Sequence, residues 1–290
     1  MFKNKDPLFL HPYFPFALLL FLVVLGLIHE QLQEAIPAWN IETPVRSELD
    51  LKIEDSATAL AQQDLSLETG RYSIDILPLS ISRGDSEMNK LLRDSDQYDY
   101  PITYWYFHDN KQLIYTMSAS GVDGKQKLAN VYLEGYEPFP VDNVMIPLLV
   151  LSQRKSYQLD SIHYFGRQDV WQSSRQAYLY SRGDCEDHAL ILADWLIAMG
   201  EDARVVVGTW NGEGHAWVSL LKDGREYLLE ATKKSGLGRN KPYPLASLHT
   251  DYVPEYMFND RYFWVNTGTK YTPRYAEIAW EKRSRFNYLD

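Results

Sequence analysis

Arg182-Gly-Asp-Cys-Glu-Asp-His-Ala-Leu-Ile-Leu-Ala-Asp-Trp-Leu-Ile-Ala-Met-Gly200 is the stretch whose reading decides the fold. From Cys185 to Met199 the apolar residues Ala189, Leu190, Ile191, Leu192, Trp195, Leu196 and Ile197 fall all round a 3.6-residue turn, which predicts a buried helix. Asp184 stands where a cap would start it, and Gly200 where a left-handed residue would close it. Downstream, Ala203-Arg-Val-Val-Val207, His215-Ala-Trp-Val-Ser-Leu220 and Tyr227-Leu-Leu-Glu-Ala231 read as strands. Lys222-Asp-Gly-Arg225 supplies a tight turn between the last two. A buried helix followed by antiparallel strands gives an α+β class.

Working outward, the same elements carry reactive groups. Cys185, the single cysteine, opens the helix, where the helix dipole favours a thiolate. His215 begins the second strand, and pairing across the Lys222–Arg225 turn brings it near Glu230. His215, Trp217 and Ser219 share one strand face by two-residue periodicity. A helix packed on that face would line up thiol, imidazole and carboxylate: a nucleophile, its base, and an acid that fixes the imidazole tautomer. Each residue also has a plainer reading, as a small core thiol, a satisfied core histidine and a solvated strand-end acid.

The chain has 290 residues, a length suited to one or two domains. With 29 basic and 39 acidic residues its formal charge is −10, which argues against nucleic acid as a partner. One cysteine excludes an intramolecular disulfide framework and multi-thiolate zinc sites. Residues 7–28 hold no formal charge with His11 neutral, and their apolar part is long enough for a single bilayer span. Lys3 and Lys5 precede this segment and Glu30 and Glu34 follow it, which places the N-terminus in the cytoplasm and the rest outside. Upstream of the helix, Arg71–Leu77 reads as a strand, Asp85–Leu92 as a helix, Ile102–Met117 as a hairpin and Leu128–Leu133 as a further strand. Val144–Gln153 and Asp169–Ser181 read as helices, and Lys233–Tyr243 as a loop.

Three motifs, Arg182-Gly-Asp-Cys-Glu-Asp-His-Ala189, Gly214-His-Ala-Trp-Val218 and Leu228-Leu-Glu-Ala-Thr232, resemble the transglutaminase-like superfamily, and within it the bacterial transglutaminase-like cysteine peptidases. The resemblance runs from about Trp171 to Thr232, and more loosely over 140–270. It implies a papain-like core with Cys185 as nucleophile, His215 as base and Glu230 as orienting acid, where the family more often has aspartate. It further implies that Trp171 flanks the entrance and that Gln172 donates to an oxyanion. The crowding of Asp184, Glu186 and Asp187 around the thiol opposes a thiolate. Those acids are either helix N-terminal residues or oxygen ligands for calcium, and related peptidases with this motif depend on calcium. A zinc site from Cys185, His188 and His215 lacks any usual spacing.

The reading is therefore a membrane-anchored thiol enzyme acting on amide bonds of a protein or peptide near the membrane. It has no cofactor in its chemistry and calcium as a candidate ion, and sits in a bacterial inner membrane with its main domain periplasmic. The expected divisions are an anchor over 1–28, a β-rich region over 29–139, the catalytic domain over 140–270 and a tail over 271–290. The alternative is a catalytically silent peptide-binding module of the same fold, switched by calcium.

Overall fold

The computed structural model describes residues 71–77, 81–95, 116–232, 245–269, 274–276 and 278–289. Strands β1 (Tyr72–Ile76) and β2 (Ile81–Gly84) precede helix α1 (Asp85–Ser95). Then come β3 (Ser118–Gly121), β4 (Gln126–Leu128), a 3₁₀ turn (Ala129–Tyr132) and α2 (Met145–Arg154). Short pieces follow: β5 (Ser156–Tyr157), α3 (Asp160–His163), β6 (Val170–Trp171), α4 (Ser174–Leu179) and β7 (Arg182–Gly183). Helix α5 (Cys185–Ala198) leads into β8 (Asp202–Trp210), β9 (Glu213–Lys222) and β10 (Arg225–Leu229). The last strands are β11 (Tyr252–Phe258), β12 (Tyr262–Asn266) and β13 (Trp280–Tyr288).

Eight strands form one antiparallel sheet in the order β10-β9-β8-β11-β12-β13-β1-β2, so the molecule is mixed α/β with a sheet-rich core. Two identical devices build its first corner. Asn211-Gly212 joins β8 to β9 with φ of 52° and 86°, and Asp223-Gly224 joins β9 to β10 with φ of 52° and 69°. Positive φ at both central residues matches the twist of paired strands, which is why Asn-Gly and Asp-Gly stand there. The first of these turns carried the same signal in the sequence as the second.

Helix α5 is buried from Glu186 to Leu196, as its all-round apolar character requires. Gly200, at φ 85°, ends it by donating to the Ile197 carbonyl at 2.9 Å. Asp184 occupies the cap position, but its side chain makes no capping hydrogen bond. The helix lies on the sheet face formed by Ala203 and Val205 of β8 and Ala216, Val218 and Leu220 of β9. Trp217 belongs to the opposite face, with Val206, Leu228, Tyr252, Met257 and Trp264. The expected geometry is corrected here: α5 covers the even-numbered face of β9, not the face of His215, Trp217 and Ser219. Small and branched side chains let a helix approach closely, whereas the Trp217 indole fills the space on the other side.

Other expectations change for local reasons. Asp169–Ser181 is not one helix. Asp169 adopts φ 49°, and α4 starts only after Ser173, whose side chain and that of Gln176 form a reciprocal capping box. Leu128–Leu133 is a strand end followed by a 3₁₀ turn, and every residue in it is buried, so no two-residue alternation exists. The stretch assigned to a tail supplies β13, wedged between β12 and β1, and β1–β2 extend the sheet of α5's domain rather than forming a separate meander. No helix among the described residues is long and apolar enough to cross a membrane. The segment 7–28, most of the 102–117 hairpin and the 233–243 loop lie outside the described residues.

Candidate active site

The Arg182-Gly-Asp-Cys motif is held by close approach at Gly183. A Cβ there would stand 2.3 Å from Asp187 Oδ2 and 2.8 Å from Lys155 Nζ, so only glycine fits between these two buried groups. Lys155 is fully buried and donates to Gln172 Oε1 at 3.2 Å and to the Arg182 carbonyl at 3.1 Å. Burial lowers its pKa to about 8, against the opposing pull of Asp187, Asp184 and Glu186. Asp187 accepts the Gln172 backbone N–H at 2.8 Å. Burial raises its pKa, and the neighbouring Lys155 ammonium opposes that rise.

This anchoring delivers Cys185, partly exposed, to the first position of α5. Its thiol donates to Glu186 Oε2 at 3.3 Å. Burial and then the Asp184 charge push the thiol up to about 12, despite the stabilising Ala216 N–H. The thiolate expected from the helix dipole is thus overruled by desolvation and a like charge, which together exceed the partial charge of a helix end.

His215 stands on β9, one residue before Ala216. Its Nε2 meets Glu230 Oε2 at 2.7 Å, with both side chains about nine-tenths buried. Among the described residues, His215 Nδ1 makes no hydrogen bond, and the thiol bonds to Glu186 instead of His215. Glu230 also accepts the Thr232 backbone N–H at 3.0 Å, the Thr232 hydroxyl at 2.6 Å and the Tyr252 hydroxyl at 3.0 Å. Burial pushes the Glu230 carboxyl up, but the donors from His215 and Thr232 outweigh it and leave it below the ordinary value. Trp217 stacks beside the imidazole at 6.1 Å, and Trp210 tilts against it at 5.7 Å. Thr232 closes the quoted Leu-Leu-Glu-Ala-Thr motif, whereas nothing in the sequence ties Tyr252 to Glu230.

The acids divide in a way their spacing does not reveal. One carboxylate oxygen from each of Asp160, Asp184 and Glu186 lies within 4.8 Å of the others, and all three residues are buried. Asp160 comes from α3, and Asp187 is not in the group. Asp160 Oδ1, Asp184 Oδ1 and Glu186 Oε1 are buried without a hydrogen-bond partner. Burial raises the pKa of Asp160 to about 7, with the Asp184 charge adding to it, and raises that of Glu186 by burial and then the Cys185 and Asp184 charges. Orphaned, converging carboxylate oxygens suit a hard divalent cation. His188 instead turns its Nδ1 to the Ala231 carbonyl at 3.2 Å, which pins the end of the Glu230 strand to α5.

Trp171 is a core side chain, 6.0 Å from the Phe258 ring and 5.4 Å from that of Tyr132. Gln172 is fully buried, and its amide donates to Tyr164 Oη at 2.9 Å and to the Arg182 carbonyl at 3.0 Å. Both its protons are engaged in the wall behind the thiol, so none is left for an oxyanion.

Residues 169–289 match the family described as the CEP76 peptidase-like domain. Human Protein CC2D2B is 28% identical over 123 residues, 42% of this chain and 8% of that protein. The human centrosomal protein of 76 kDa is 43% identical over 54 residues, 18% of this chain and 8% of that one. The matched segments thus span about 8% of the length of these curated relatives. Among solved structures, Legionella pneumophila LapG superposes with a TM-score of 0.35 and 22% identity, over 48% of this chain and 74% of that chain.

Proposed function

We propose that this chain is a transglutaminase-like cysteine peptidase in which Cys185, His215 and Glu230 act on amide bonds of a protein or peptide. The observation that carries the reading is the His215–Glu230 contact of 2.7 Å. The peptidase-like name of the matched family, over residues that include all three, supports it. Glu230 on Nε2 keeps the proton there and leaves Nδ1 as the base. The reaction requires the thiol to turn from Glu186 to that base. The sulfur then attacks the carbonyl, the amine leaves with the proton held by His215, and water hydrolyses the thioester. The Cys185 backbone N–H at the start of α5 is the donor we assign to the oxyanion.

Asp160, Asp184 and Glu186 fit a calcium ion, because each presents a buried oxygen that nothing else satisfies. A bound cation supplies positive charge beside the thiol and offsets the carboxylates that suppress its ionisation. We further place residues 7–28 in a membrane as an anchor, with this domain and its substrate on the extracytoplasmic side.

The second reading is a silent peptide-binding module of this fold, and the observation favouring it is the thiol pushed up to about 12. A thiol-reactive acyl probe separates the two. Labelling of Cys185 that rises with calcium and falls in His215→Ala supports the peptidase. Labelling indifferent to both supports the module.

A further inference from the structure

We infer that Tyr252 and Thr232 are positioning residues that let a glutamate do the work an aspartate does elsewhere, by clamping Glu230 onto His215. The inference rests on the triad proposed above and explains its one departure from the family pattern. Strand register sets Glu230 diagonal to His215. In the β9–β10 ladder Leu229 pairs with Val218, so one step further Glu230 falls opposite Trp217. His215 lies two residues beyond, on the same face as Trp217. A diagonal pair of this kind spans roughly 7–8 Å between backbones, within the combined reach of a histidine and a glutamate.

Compared with an aspartate, Glu230 has another rotatable bond, and an unheld carboxylate would swing. Two groups remove that freedom. Thr232 fixes Oε1 from its own turn, through the N–H at 3.0 Å and the hydroxyl at 2.6 Å. Tyr252 fixes Oε2 from β11, at 3.0 Å, on the same oxygen that meets His215 Nε2. Both carboxylate oxygens are thus held, and the free rotation about the last bond is lost.

Tyr252 can reach because of Gly208. This glycine is the cross-strand partner of His215, and a Cβ on it would stand 2.1 Å from the Val253 carbonyl oxygen. The close approach sits beside the register shift between Pro254 and Tyr256, and it lets β11 lean over β8 toward Glu230. The Tyr252 ring then closes edge-on against Trp217 at 5.1 Å, which sets the direction of its hydroxyl.

The test uses the full chain, with hydrolysis of p-nitrophenyl acetate as one readout and two-bond ¹H–¹⁵N spectra of the His215 ring as the other. In the wild type the spectra show the proton on Nε2. Tyr252→Phe and Thr232→Val each lower kcat by about tenfold with KM unchanged, and Thr232→Ser restores the loss of Thr232→Val. The double variant mixes the two tautomers. In a Glu230→Gln background Tyr252→Phe has no further effect, since a residue acting through Glu230 is silent without it. An unchanged tautomer and kcat in the folded double variant would overturn the clamp, as would an equal loss in the Glu230→Gln background. Wild type without ester turnover but with the Nε2 tautomer, lost in the double variant, supports the clamp and sinks the triad's catalytic role instead.

Discussion

Glu230 and Glu186 are both buried glutamates within a few residues of the proposed chemistry, yet the fold treats them in opposite ways. Glu230 receives four hydrogen bonds, and its carboxyl ends below the ordinary value. Glu186 has one oxygen shared with the Cys185 thiol and the other without any partner, beside Asp184 and Asp160, and its pKa is raised. Burial is common to both, so burial does not decide the charge. Donors and neighbouring charges do: a carboxylate loses water in either place, but Glu230 regains donors on both oxygens, whereas Glu186 regains one on a single oxygen and lies beside other acids. One acid is finished by the protein, and the other keeps an oxygen without a partner.

The comparison breaks first at Glu230. Glu230→Gln should lower kcat of acyl transfer by about 10²–10⁴-fold, measured against a Cys185→Ala blank. An effect below threefold would mean that the satisfied acid is only a structural staple.

At the other acid, the expected response is to metal. Calcium at about a hundred times its Kd should stabilise the full chain by about 2.7 kcal/mol, and EDTA should reverse this in differential scanning calorimetry. Asp160→Asn and Glu186→Gln should each abolish the rise. No heat of binding at millimolar calcium in either wild type or variants would leave the unpaired oxygens unexplained and end the contrast.

Asp187 sharpens the division, because it sits in the same motif but outside the cluster, where its charge acts on the buried Lys155. Asp187→Asn should lower stability by about 2 kcal/mol whether or not calcium is present, through the uncompensated buried Lys155. Urea unfolding with and without EDTA reads this. A loss seen only with calcium would return Asp187 to the metal.

The smallest effect is in acid. Glu230 titrates lower in the folded chain than when unfolded. Its stabilising contribution is therefore complete above the unfolded glutamate value of about 4.3 and is lost as the pH falls through the folded value. The wild type should lose stability more steeply than Glu230→Gln on titration below that point, followed by circular dichroism. Parallel curves would contradict the donor count.

The sequence by itself determined the local elements and their chemistry. The apolar circumference of Ala189–Ile197 required a buried helix, Asp223-Gly224 required a tight turn, and the order of thiol, imidazole and carboxylate placed three reactive types on three consecutive elements. These are legible because they depend on neighbours a few residues apart. Tertiary structure alone decided which face of β9 meets α5, since the alternation of Ala216 and Trp217 permits either face and only side-chain volume against the helix selects one. It also decided which acids converge. Asp160 is 24 residues from Asp184, whereas Asp187 is three away and lies outside the group. The strands at the far end of the sheet and the reach of Tyr252 to Glu230 belong to the same class. Each depends on segments far apart in the chain being brought together by packing, and no periodicity within a segment records where its partner lies.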